Sequence, residues 1–502
     1  MKKLSNSLIV LWILLYLPSY SQIPTDSMQS EIIISDIITN SISAQSNDRA
    51  GNQDFPTPVA KVDERVELLT IVARLADFSE YSGNVLEDYT NDIEEHFSGH
   101  KDHSLIRFIK ELRVENGLGY DAVMQMAVLL KPPPELTPRV DLIAVLDDRW
   151  GGEEKIAQFL VLIQQFYRES NFEGFYDSHR GLYSLAEERF QAILNEVDFS
   201  WFGSFYGNVP GVNFNFYVRL QTGGSYGPSV ELSENRTDIY AILGTTEVES
   251  DGTPMYSESR LQTIIHEFSH SFVNPIFFKH MERFRPSGEK IFEAVRNDLS
   301  NRGYGNWESI VIESLVRASV IRYRIEHESD PNIAFDRIIT EKNFGFIWID
   351  ELVVLLGAYQ HSKAYKNFDS LLPLIIGYFD DLESRMGQEL SDFDKNAPHV
   401  LEISPIDTSM QNVKASTKEI VITFDKPVTK SDDFMINPTE AGEDAMPVIN
   451  IIELDELGIH LILKTQLLPH SNYEFLLPGS KIKSLDGYRM KDYTLKFRTN
   501  EN

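Results

Sequence analysis

The sequence predicts a multidomain α+β protein: a mainly helical domain carrying a small antiparallel sheet, followed by an all-β sandwich. Three observations carry this. At 502 residues the chain exceeds what one core can fill, since cores stop growing near roughly 250–300 residues. Apolar residues spaced by three and four dominate from Val62 to about Leu390. From Ala397 the texture turns to short strands between Pro, Asn, Asp and Gly turns, with no helix of length. A composition of 42% hydrophobic and 24% charged residues excludes global disorder.

Lys2 and Lys3, the apolar run Leu8–Leu17 and Ser19-Tyr20-Ser21 read as a signal peptide over residues 1–21, which predicts an exported protein, periplasmic or extracellular. The apolar run is half the roughly 20 residues that span a bilayer. No later run compares with it and there is no Cys to carry a lipid, so no membrane insertion is expected after cleavage. Without Cys there is no disulfide, and a metal must be held by His, Asp or Glu. The net charge of −30, which becomes −32 when Lys2 and Lys3 leave, excludes nucleic acid and anionic lipid as electrostatic partners.

Residues 22–60 are rich in Ser, Asn, Asp, Gln and Pro and read as a disordered leader or linker. The helical domain, 61–395, opens on Leu68, Leu69, Val72 and Leu75 opposite Glu64, Arg65 and Arg74. Helices follow over Leu105–Leu112, Ala122–Leu130, Ile156–Tyr167 and Ala186–Val197. Asn213–Val218, Ser229–Leu232 and Asp238–Leu243 read as the antiparallel strands, with Asp238–Leu243 as an edge open to an extended peptide. Helices return through Ile310–Tyr323 and Leu371–Phe379. Over 397–502, strands are expected at Glu419–Phe424, Val448–Leu454, His460–Lys464 and Leu495–Arg498.

His266-Glu267-Phe268-Ser269-His270 matches H-E-x-x-H, a pattern expected by chance about 0.02 times in such a chain. Two His at i and i+4 share one helix face and can hold one Zn2+, with Glu267 as general base. Ile264, Ile265, Phe268, Phe272 and Val273 make the helix apolar around them, Ser257 is the expected N-cap, and Pro275 marks the expected end. Val273 and Ile276 stand where a metzincin needs Gly and His, which excludes that class.

The third ligand is then a Glu on a later helix: Glu313, Glu293 or Glu308. Glu313 lies among Ile310, Val316 and Val320, a face that should be buried, and Arg317 one turn on can orient its carboxylate. Glu293, 23 residues beyond His270, is the runner-up, and Glu308 follows the expected N-cap, Asn306, where the helix dipole alone accounts for an acid.

His266–Pro275, read as His-Glu-Phe-Ser-His-Ser-Phe-Val-Asn-Pro, resembles the signature of an uncharacterised family of exported bacterial proteins of gluzincin-like (zinc metallopeptidase) type. The resemblance extends from Arg65-Val66-Glu67-Leu68-Leu69 through Glu313-Ser314-Leu315-Val316-Arg317-Ala318 to Leu372-Pro373. It implies a zincin-like fold and Glu313 as third ligand, and lends no substrate. The last hundred residues resemble bacterial Ig-like domains, on Pro398-His399-Val400, Ile422–Val428 and Gly487 to Thr499. Such modules are spacers or adhesive units, and no chemistry is assigned to this one.

The expected function is hydrolysis of peptide bonds in a peptide or protein substrate. The alternative is an exported binding or adhesive protein with a structural zinc, for which Glu267 would have no use. Tyr359, His361 and Tyr365 are candidate transition-state donors whose ordinary role is packing. His96, His100 and His103 read as solvated histidines, and Asn235-Arg236-Thr237 as a chance glycosylation pattern.

Overall fold

The computed structural model describes residues 55–207, 209–221, 224–300, 302–362, 364–406 and 413–500; the signal peptide expected over 1–21 lies outside them. Strand β1 (Ala60–Lys61) leads into eight helices: α1 (Glu64–Leu75), α2 (Glu87–His96), α3 (Ser104–Asn116), α4 (Asp121–Leu129), α5 (Glu153–Glu169), α6 (Phe172–Ser178), α7 (Arg180–Leu194) and α8 (Ser200–Tyr206). A four-residue helix, Leu142–Val145, lies between α4 and α5. Strands β2 (Val212–Arg219), β3 (Ser229–Ser233) and β4 (Arg236–Gly244) complete the first half. Six helices then run to the end of the domain: α9 (Arg260–Lys279), α10 (Met281–Ser300), α11 (Trp307–His327), α12 (Pro331–Phe344), α13 (Ile349–His361) and α14 (Phe368–Asn396).

Residues 22–54 of the expected leader lie outside the described residues, and its last six, 55–60, are folded into the domain. Phe55 is buried against Phe214, with ring centroids 4.9 Å apart, and Ala60 pairs with Phe216. One aromatic in a polar stretch carries no periodicity, so nothing local announces it.

The sheet corrects two expectations. Its order is β1-β2-β4-β3, and β2 runs parallel to β4 from Val212↔Thr237 to Arg219↔Gly244. The sheet is therefore mixed, not antiparallel. The tight turn after β3 makes β3 and β4 an antiparallel hairpin, but it is β4 that lies beside β2. Only the β3–β4 pair is antiparallel, because the long β2–β3 connection lets β3 take the outside and leaves β4 beside β2. Asp238–Leu243 is consequently interior and offers no edge to a peptide. The edges are β1 and β3, and at β3 Gln125 Nε2 already donates to the Ser229 carbonyl at 3.1 Å.

Helix α11 is buried almost all round, through Ile310, Val311, Leu315, Val316, Val320 and Ile321, which makes it the central helix of the domain. Asn306 caps it, accepting from Ser309 N at 2.8 Å. Its buried hydroxyls turn back on their own helix: Ser314 Oγ donates to Ile310 O at 2.7 Å and Ser319 Oγ to Leu315 O at 2.8 Å. Helices α9, α10, α12 and α13 pack around it.

Beyond α14 a separate apolar core, including Ile420, Ile422, Leu461, Leu463, Phe475 and Phe497, holds an all-β region. Strands β5 (Val400–Ser404), β6 (Glu419–Phe424), β7 (Val448–Leu454) and β8 (His460–Gln466) form an antiparallel sheet of order β7-β8-β6-β5. Strands β9 (Asn472–Leu477) and β10 (Tyr493–Arg498) pair antiparallel in a second sheet with Asn437–Pro438. The alternation of buried and exposed residues along β6, β8 and β9 follows from one face of each sheet covering the core.

Candidate metal centre

Gln262, His266, His270 and Asn274 recur every four residues and form a polar stripe along α9. The opposite face is fixed by aromatics. Phe268 lies 4.9 Å from Phe214, and Phe272 lies 5.6 Å from Phe202 and 4.8 Å from Tyr206, measured between ring centroids. Burying each such ring is worth roughly 1.5–3 kcal/mol, so this face sets the rotation of the helix and the histidines follow. Both helix ends differ from expectation. The N-cap is Ser259 rather than Ser257, and the helix continues through Pro275 to Lys279. Phe277, buried against Phe284 and Trp307 at 5.4 and 5.8 Å, holds the last turn together past the proline.

Helix α11, packed against α9, brings Glu313 to the two histidines. His266 Nε2 and His270 Nε2 are 3.1 Å apart, His270 Nε2 is 3.4 Å from Glu313 Oε1, and His266 Nε2 is 3.7 Å from Glu313 Oε2. Neighbouring corners of a tetrahedron with bonds of about 2.0 Å lie about 3.3 Å apart, so the two nitrogens and the Glu313 carboxylate, which meets each histidine through a different oxygen, stand at about the spacing a zinc site needs. Two imidazoles and one carboxylate suit zinc better than calcium or magnesium, which favour all-oxygen shells. Among the described residues no other group of three or more His, Asp or Glu converges in this way.

The surroundings orient the three side chains. His270 Nδ1 lies 3.2 Å from Asn274 Oδ1; donating its proton there leaves the Nε2 lone pair facing the cluster. Arg317 Nε donates to Glu313 Oε2 at 2.9 Å, as expected, and its other nitrogens reach Tyr304 Oη at 2.6 Å and Glu341 Oε2. Burial would raise the Glu313 carboxyl, but the charges of His266 and Arg317 hold it well below the carboxylate range. Burial opposes a charged His270, yet Glu313 lifts its imidazolium to about 9. Glu267, 6% exposed, is pushed up by burial, against the opposing pull of His266 and His270. The side chains of His266, His270 and Glu313 are 20%, 16% and 12% exposed, so solvent reaches the cluster.

The chain also closes tightly over the motif. Gly227, just before β3, lies against the Glu267 backbone, where a Cβ would run into the Glu267 carbonyl oxygen.

Other candidates lie elsewhere. Glu293 is 67% exposed and paired with Arg296, and Glu308 occupies the first turn of α11. Tyr359 Oη donates to Phe205 O at 2.6 Å with Tyr365 packed on its ring, and His361 closes α13. His96 Nε2 and His100 Nε2 meet the carbonyls of Ser170 and Glu169 at 2.8 and 3.1 Å, at the end of α5. His103 caps α3 by accepting from Leu105 N at 3.0 Å. These histidines serve helix ends rather than simply facing solvent. Tyr304, Glu341 and Gly227 were not singled out by the sequence. Asn274 had a signal, its i+4 spacing from His270; the others meet the site only through tertiary packing.

Fold and site together define a mainly helical protein with a two-histidine, one-carboxylate cluster and a C-terminal bacterial Ig-like domain, the latter matched over residues 394–499. Residues 59–378 match the family described as "Domain of unknown function (DUF4932)", and the chain belongs to that family. No curated protein matches. Three solved structures of an S-layer protein are similar to this chain in part. The crystal structure of rSbsC(31-844) is 14% identical with a TM-score of 0.17, over 48% of this chain and 34% of that one. SbsC domains 1–6 are 16% identical at 0.18, over 49% and 35%, and the N-terminal part of SbsC 13% at 0.17, over 48% and 58%. This chain thus spans between about a third and just over half of those chains, and TM-scores this low fix no common fold.

Proposed function

We propose that this protein is an exported zinc-dependent metallopeptidase of gluzincin type that hydrolyses peptide bonds. The observation that carries the reading is the meeting of His266, His270 and Glu313 from two helices, with Glu267 beside them. Zinc, when bound, supplies the Lewis acidity that activates water and polarises a carbonyl. His266 and His270 offer Nε2 and Glu313 a carboxylate oxygen as ligands. Glu267, whose buried carboxyl favours holding a proton, is the general base that accepts one and passes it to the leaving amine. Arg317 and Asn274 orient the ligands.

Ligands that remain 12–20% exposed and number three favour this over a closed structural site, which takes four protein ligands. Among the described residues no helix is long and apolar enough to cross a membrane. Export rests on the signal-like residues 1–21 and agrees with the bacterial Ig-like domain.

The test is metal analysis with a broad peptide-cleavage assay on wild type, Glu267→Gln and Glu313→Ala. The proposal expects stoichiometric zinc in wild type and Glu267→Gln, zinc loss in Glu313→Ala, and cleavage by wild type alone. Stoichiometric zinc without cleavage would favour the structural-zinc alternative, and a wild type without zinc would overturn both.

A further inference from the structure

The Ig-like domain touches the helix that supports the metal centre. Asn343, near the end of α12, donates through Nδ2 to Gly487 O at 2.8 Å and accepts from Arg489 N at 2.9 Å, so one side chain grips both sides of that turn. Gly487 has φ +85°, and a Cβ there would lie 3.0 Å from Ile339 Cγ2, so its bare backbone packs onto Ile339, itself 5% exposed. Between Ile339 and Asn343 on the same helix sits Glu341, 1% exposed, whose carboxylate holds Arg337 at 2.5 Å and also Arg317. Arg317 has no slack: its nitrogens are shared among Glu341, Tyr304 and Glu313.

We infer that the Ig-like domain positions the metal centre, its Gly487–Arg489 turn locking α12 so that Glu341 fixes Arg317 and Arg317 fixes Glu313. Glu341, Arg317 and Asn343 are positioning residues in this scheme, none of them touching substrate. The inference rests on the metal reading above. A second contact of the same domain, outside that turn, provides an internal control: Lys491 pairs with Asp394 of α14 at 2.5 Å, away from α12.

The experiment uses the full chain. Zinc Kd is measured by chelator competition, and the visible spectrum of the Co2+-substituted protein reports ligand geometry. Residues that orient ligands typically change metal affinity by about 10–100-fold, so Glu341→Gln should raise the zinc Kd at least about tenfold and shift the cobalt bands. Asn343→Ala, one step further out, should raise it at least about threefold with a shift in the same direction. The double variant should be no weaker than Glu341→Gln alone, because the two act in series. Lys491→Ala should leave both readouts at wild type. Should Asn343→Ala fail to fold, Asn343→Asp keeps the acceptor for Arg489 N, loses the donor to Gly487 O and reads the same quantity. Wild-type Kd and spectrum in the folded Asn343 variant would overturn this inference alone, as would an equal effect from Lys491→Ala. A wild type that takes up neither metal would overturn the metal reading and this inference together.

Discussion

Replacing Arg317 by Met keeps the length of the side chain and removes the charge from a position where only 12% of the side chain is exposed. In the metal-free protein the change strips Glu313 of its 2.9 Å partner and Glu341 of one of two arginines. Breaking a buried pair by deleting one partner costs about 3–5 kcal/mol, because the other charge stays behind in a poor solvent. Glu341 keeps Arg337 at 2.5 Å and Glu313 keeps the two histidines, which places the expected loss at the lower end, about 3 kcal/mol. At about 2 °C per kcal/mol for a domain of this size, the thermal midpoint falls by about 6 °C. Saturating zinc should recover part of the loss, since the metal then partners Glu313. Calorimetry with and without zinc measures both quantities. A drop of less than about 2 °C with unchanged zinc affinity would refute the argument that Arg317 is what keeps Glu313 charged and in place.

Three further expectations follow from the same geometry. Glu293→Gln should leave zinc affinity at wild type while Glu313→Gln weakens it at least about tenfold, measured by chelator competition; equal effects would put the third ligand in doubt. Gly227→Ala forces a methyl into the Glu267 backbone and should cost about 1–3 kcal/mol with loss of metal affinity, read by urea melts and zinc titration. His327 and Asp198, 3.1 Å apart, should give a pH signature. Although burial opposes it, the bond to Asp198 raises His327 above its ordinary 6.5, so this stabilisation is complete below pH 6.5 and fades as pH rises through the folded value. The bond to His327 lowers Asp198 from 3.8 to about 2, so its share is present above pH 3.8 and fades as pH falls towards 2. Partial exposure limits the pair to at most about 1 kcal/mol, and His327→Gln should lower the thermal midpoint at pH 5.5 more than at pH 9.

What was legible in the sequence is what depends on contiguous residues. The i, i+4 histidines, the apolar surroundings of Glu313 and the Glu313–Arg317 spacing are properties of single helices, and the structure keeps them. The alternating strands of the C-terminal domain are equally local. Strand order was not legible, because the β2–β4 pairing joins segments separated by another strand and depends on which of them the helices cover. Pro275 reads as a helix end by a local rule that the burial of Phe277 overrides. Glu341 and Tyr304 lie on either side of Arg317 in sequence, at distances that carry no periodic signal, and only the packing of α12 on α11 and the connection leading into α11 bring them to it.

Glu313 and Glu293 show which kind of sequence information places a carboxylate beside the two histidines. Glu293 has the more familiar interval from His270, but its helix buries Ile291, Phe292, Val295 and Leu299 along one side, and that phase turns residue 293 to solvent. Helix α11 is buried on nearly every side, so a carboxylate within it needs cationic or metal partners wherever it points. Helix phase therefore outranks interval. The same reasoning makes the partner specific: Arg317 reaches Glu313, Tyr304 and Glu341 at once with a planar fork, which a lysine ammonium at the end of a flexible stem does not reproduce. Arg317→Lys keeps the charge yet should still weaken zinc binding, and a lysine variant with wild-type affinity would mean that charge alone, and not the fork, holds Glu313.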